Sequence, residues 1–128
     1  MVKQEEIMEM PCNVYRICYR DGCYFSVSAK LIDRRGSWWH VEHQMGDGST
    51  KIKAYNGGLI RGLKRMHLTV QDAWLAEIWM LGVDISVAEA LGNNSQRLKA
   101  TEKLQKCAEC MWDEAIEWGR LIEQVEAK

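Results

Sequence analysis

Proline and phenylalanine are nearly missing from this chain, with one of each among 128 residues. A lone Pro11 excludes proline-rich linkers, stalks and recognition tracts. No apolar run approaches the roughly 18 residues that a membrane-crossing helix needs. The opening ten residues hold Glu5, Glu6 and Glu9 and no apolar centre, so they read as a loosely docked tail and not as a secretory leader. Neither sign of charge dominates. A net charge of −1 gives no global pull toward nucleic acid or an anionic membrane. Strings that carry chemistry are also missing, with no nucleophile elbow, no phosphate-cradling loop and no HExxH. The run Gly57-Gly58-Leu59-Ile60-Arg61-Gly62 is glycine-rich but has neither the dinucleotide nor the P-loop spacing. These absences point away from an enzyme and from a cofactor. Five cysteines, an odd number with no leader, read as free thiols of a reducing cytoplasm.

What is present is globular. Hydrophobic content of 47% against 27% charged is enough for a packed core, and the length suits one domain over residues 1–128. Six tryptophans and seven methionines supply large, adaptable apolar surface for a core or for a binding face.

The first half reads as strands over residues 13–56. Asp21-Gly22 lies between two runs of aromatic and β-branched residues, which is a hairpin signal because both positions tolerate positive φ. Tyr19 and Tyr24 are then expected close together across the hairpin. Further turns are expected at Asp33-Arg34-Arg35-Gly36 and at Gly46-Asp47-Gly48, and a fourth strand ends at Asn56-Gly57-Gly58. Short connections of this kind give a four-stranded antiparallel meander.

The second half reads as helices, so the fold class is α+β. Residues 59–92 divide into short helices. One covers Leu59 to Met66. The next starts at Thr69, with Asp72 completing a capping box, and stops at Gly82. A third opens at Ser86 with Glu89 and ends at Gly92. The Trp74/Trp79 helix is the expected cover for one sheet face. Ser95 is expected to cap one long closing helix over residues 95–126. On it Leu104, Ala108, Met111, Ala115, Trp118, Ile122 and Val125 recur at spacings of four and three, a heptad stripe that predicts a homo-oligomer interface. Trp112 and Ile116 add a second stripe beside the first.

Several clusters are candidates for a site. In Trp38-Trp39-His40-Val41-Glu42-His43, alternation puts Trp39 and Val41 on one face and Trp38 and His40 on the other. If the first pair faces the core, Trp38 and His40 are free to stack on a ligand or a partner. A catalytic His40/Glu42 pair is the weakest reading, because acid–base work needs a pocket as well as a pair. Arg61, Lys64 and Arg65 close a run, starting at Lys51, of five basic residues with no acid among them. With Arg97 and an aromatic plane from Trp38 or Trp79, they could hold a small anionic ligand such as a nucleotide. Cys107 and Cys110 share a helix face. A structural zinc needs four convergent ligands, and the candidates His40 and His43 sit on opposite strand faces, so no metal is expected.

The stretch from Asp84 to Leu104 resembles a helix-turn-helix motif at Val87-Ala88, Leu91-Gly92 and Leu98. The resemblance implies a DNA-binding regulator whose second helix opens with Asn94, Ser95, Gln96, Arg97 and Lys99 against the duplex, with Asn93 at the turn a further candidate ligand contact. The sequence departs from that motif at Asn93 and Thr101, which are more polar than it asks for. Small chains rich in tryptophan and methionine, without catalytic strings, are also similar in style to phage and mobile-element accessory proteins. That likeness implies inhibition of a host defence process, through a protein partner or a sequestered nucleotide. The favoured expectation is a non-catalytic binding protein, oligomeric through its C-terminal helix. DNA binding is the alternative.

Overall fold

The structure is a computed structural model describing residues 9–56 and 66–126. The meander is present. Strands β1 (Cys12–Arg20), β2 (Cys23–Arg35), β3 (Trp38–Gln44) and β4 (Thr50–Asn56) form one sheet in the order β1-β2-β3-β4, and two helices follow, α1 (Val70–Ala90) and α2 (Asn94–Glu126). The described residues cluster into two compact units. One comprises the sheet with residues up to Ala73, and the other comprises the first hairpin's tip, Ile17–Phe25, with the two helices.

In the sheet unit each turn has a local cause. Gly36 at φ 62° makes the β2–β3 turn, and Arg35 pairs directly with Trp38 across it. The expected turn over residues 33–36 is therefore too long at its start, since Asp33, Arg34 and Arg35 all remain in β2. The register shows why. Leu31 pairs with Val41 and Asp33 pairs with His40, so Ile32 is an extra, bulged residue that resets the alternation. The next turn is held by Asp47, whose carboxylate accepts from the Ser49 amide at 3.0 Å and the Ser49 hydroxyl at 2.6 Å. The outer edge of β1 is partly closed by His67, which exchanges two backbone hydrogen bonds of 2.7 Å with Tyr15.

The core of this unit is Val14, Leu31, Trp39, Val41, Tyr55 and Met66. Trp39 is completely buried and Trp38 is 47% exposed, as strand alternation requires. Arg34, directly across the ladder, lays its guanidinium carbon 4.5 Å from the Trp39 ring centre.

In the helical unit, Asp21 at φ 53° and Gly22 at φ 78° form the two-residue turn that brings the Tyr19 and Tyr24 rings to 4.7 Å. Thr69 caps α1 by accepting from the Asp72 amide at 3.1 Å. Two expectations need correcting here. Gly82 does not stop a helix, and Ser86 with Glu89 does not start one, because α1 runs unbroken through both. Ile78, Leu81, Ile85 and Ala88 continue one inward-facing stripe past Gly82. Burial along that stripe outweighs the roughly 1 kcal/mol that an interior glycine costs. The expected helix over residues 59–66 lies outside the described residues.

The expected stop at Gly92 is present. Gly92 takes φ 67° and donates to the Glu89 carbonyl at 3.1 Å, and the Asn93 amide reaches the Ala88 carbonyl at 2.9 Å, the paired bonds of a Schellman motif. Asn93, not Ser95, then caps α2, its side-chain oxygen accepting from the Gln96 amide at 3.1 Å.

Candidate functional site

The helices fold back on each other. The Trp74 indole N–H donates to Glu114 Oε2 at 2.6 Å, joining the start of α1 to the far part of α2. Counted in equal steps either side of Asn94, the midpoint of the Trp74–Glu114 bond, Leu81 falls level with Cys107 and Ala88 with Ala100, and all four are buried. This long antiparallel hairpin is not the pair of short crossed helices of a helix-turn-helix. Asn93, Asn94, Gln96 and Lys99 are exposed near its turn, Arg97 is half-buried, and Asn93 is already committed as the cap.

The same count explains how the predicted heptad stripe divides. Leu104, Ala108 and Met111 are half-buried within the hairpin. Trp74, the first α1 residue of the helical unit, is hydrogen-bonded to Glu114. Past that point the apolar side chains of α2 stand in solvent. Trp118 is 54% and Ile122 55% exposed, and Ala115, Ile116 and Leu121 are exposed with them. Trp112 is 65% exposed. Val125 lies in the same last turns. An apolar stripe that continues beyond its intramolecular partner is an unfinished interface.

A second bare surface was not read as a surface in the sequence. On α1, Leu75, Trp79, Val83 and Val87 are all exposed, with Trp79 at 70%. Spaced by four, they run along one side of the helix, opposite buried Trp74, Leu81 and Ala88. The expected pairing of Trp74 and Trp79 as one cover therefore fails. They are five residues apart, more than a third of a turn out of phase, and only Trp74 is buried. Trp79, Gly82, Val83, Ser86, Val87 and Ala90 line a groove of about 450 Å³ along this face. The signal was available: α1 has apolar residues on every side, and a helix of that kind in a small domain has two neighbours to satisfy.

The remaining candidates are more ordinary. His40 Nδ1–H donates to Asp33 at 2.7 Å, so its nearest acid comes across the ladder and is neither Glu42 nor Asp47. His43 shares a 2.8 Å hydrogen bond with the Tyr55 hydroxyl, and burial, with Arg16 and Lys53 nearby, holds its pKa below the usual histidine value. Arg61, Lys64 and Arg65 lie outside the described residues. Trp38 and His40 belong to the sheet unit, and Trp79, Arg97 and Lys99 belong to the helical unit.

Burial raises the Cys107 thiol to about 11, helped by Glu77 and Cys110, so it is protonated and unreactive near neutrality. Among the described residues no group of three or more His, Cys, Asp and Glu side chains could hold a metal ion, and no helix is long and apolar enough to cross a membrane. In comparisons with known proteins, the chain matches no family model, no curated protein and no solved structure.

Proposed function

We propose that this protein is a non-catalytic binding protein that self-associates through the overhanging end of α2 and holds a protein partner on the outer face of α1. The observation that carries the reading is the exposed row Leu75, Trp79, Val83 and Val87 on a helix whose opposite side is already buried. A large aromatic in an apolar groove is the usual anchor of a protein interface. Charge narrows the partner. α1 carries Asp72, Glu77, Asp84 and Glu89 and no basic residue, which suits an apolar surface rimmed by lysine or arginine. A protein acting this way occludes its partner or gathers copies of it, which agrees with an inhibitor of the accessory type.

Two variants test the two surfaces separately. Tagged wild type, Trp79→Asp and Trp118→Glu are purified from the same cells. Trp118→Glu is expected to lower the mass in light scattering and still retain the partner. Trp79→Asp is expected to keep the mass and lose the partner. A partner retained equally by all three chains removes α1 as the binding face. A wild type of monomer mass removes the self-association.

A further inference from the structure

Between the tip of the first hairpin and the first half of α2 lies a groove of about 280 Å³ lined by Tyr19, Tyr24, Lys99, Glu102, Lys103 and Lys106. Its walls differ in chemistry. One is the tyrosine pair, its rings tilted by 51°, with Tyr24 buried and Tyr19 more than half exposed. The other is a row of ammonium groups, since Lys99, Lys103 and Lys106 follow each other at helical spacings of four and three and so share one side of α2. None of the three lysines is in an ion pair among the described residues. Three like charges in two turns, with only Glu102 among them, leave the groove basic on one wall and aromatic on the other.

The far end of the same helix has the opposite character. Trp118, Leu121 and Ile122 are exposed there beside Glu117, Glu123 and Glu126. Among the described residues of this end the one cation is Arg120, 4.0 Å from Glu117; Lys128 lies beyond them in the sequence. An acidic end with a bare apolar face is what a groove of lysines and tyrosines can take. The groove could instead hold a phosphate backbone, but a phosphate would answer only its lysines, whereas this end answers both walls.

We infer that the overhanging end of α2 from a second copy of the chain seats in this groove, its carboxylates against Lys99, Lys103 and Lys106 and its apolar side chains against the tyrosines. The inference rests on the self-association proposed above and names the surface that the end meets. Each copy carries one groove and one end, so two copies can satisfy each other reciprocally about a two-fold axis and close as a dimer.

Charge exchange tests it. One variant reverses the groove (Lys103→Glu with Lys106→Glu) and the other reverses the end (Glu117→Lys with Glu123→Lys). All four positions are exposed, so the fold tolerates the changes. Each variant alone sets like against like and is expected to run at monomer mass where the wild type runs as a dimer, with the dimer constant weakened at least tenfold. Mixed in equal amounts, the two variants pair reversed end with reversed groove at one contact and unaltered end with unaltered groove at the other, so both contacts are complementary and dimer mass should return. If either variant alone keeps the wild-type mass, or the mixture stays monomeric, the groove is not the seat, and self-association of the wild type uses another surface. If the wild type itself is monomeric, both ideas fall. In that case a labelled single-stranded oligonucleotide, bound by the wild type with a log–log salt slope of about −2 and released by the groove variant, gives the groove to phosphate.

Discussion

The two halves of α2 carry one continuous apolar stripe and have opposite fates. In the proximal half the stripe meets α1, and Ala100 and Cys107 are buried. In the distal half the same register brings up Trp118 and Ile122, more than half exposed. Composition does not separate them, because the exposed half holds the larger and more apolar side chains. What separates them is length. α2 has 33 residues and α1 has 21, and a hairpin can bury a helix only as far as its shorter arm reaches. A heptad pattern states that a partner exists. It does not state whether the partner lies in the same chain.

That contrast can be broken most severely at its boundary. Trp74→Ala removes a buried indole and the hydrogen bond that it gives Glu114, and we expect a loss of about 3–5 kcal/mol in chemical denaturation. A loss under about 1 kcal/mol would mean that the arms are not pinned there. Thiol chemistry sharpens the contrast next. With its pKa raised from 9.0 to about 11, Cys107 should react with a disulfide reagent at pH 8 roughly a hundredfold more slowly than a cysteine placed at position 118 in a chain otherwise free of cysteine. Equal rates would show the proximal half to be as open as the distal one.

Changes to the turn come third. Gly92 sits at φ 67°, so Gly92→Ala should cost about 1 kcal/mol in thermal unfolding while leaving the oligomer mass unaltered. The smallest stability effect belongs to the overhang. Ile122→Ser should shift the monomer's stability by no more than about 0.5 kcal/mol and yet lower the apparent mass at micromolar concentration. A large stability loss with unchanged mass would place Ile122 in an intramolecular core and undo the comparison.

Much of the sheet was legible because its signals are local. Asp21-Gly22 dictates its own turn, and the alternation of Trp38, Trp39, His40 and Val41 distinguishes a buried tryptophan from an exposed one. The Ile32 bulge was not legible, since an extra residue in a strand has no signature of its own and shows only against its neighbour's register. Gly82 misled for a related reason. A glycine ends a helix when it takes a left-handed conformation, and the packing of Leu81 and Ile85 on either side keeps it helical. Gly92 carries the same residue type and does stop its helix, because the chain must turn back at that point.

The exposed apolar surfaces divide along the same line. The distal stripe of α2 was visible as periodicity. The outer row of α1 was visible only as an excess of apolar residues, and its exposure became clear once Trp74 and Trp79 were seen to point apart. The lysine–tyrosine groove joins residues eighty positions apart in the chain, Tyr19 and Lys99 among them, and no local pattern could have announced it.

The projecting end of α2 has an evolutionary consequence. Because its side chains contribute little to holding the molecule's own core, substitutions there escape the folding constraint that governs Trp74 or Cys107. Lineages could therefore rewrite whom the protein recognises, kin or stranger, by drift in two or three helical turns, while the architecture behind them is inherited intact.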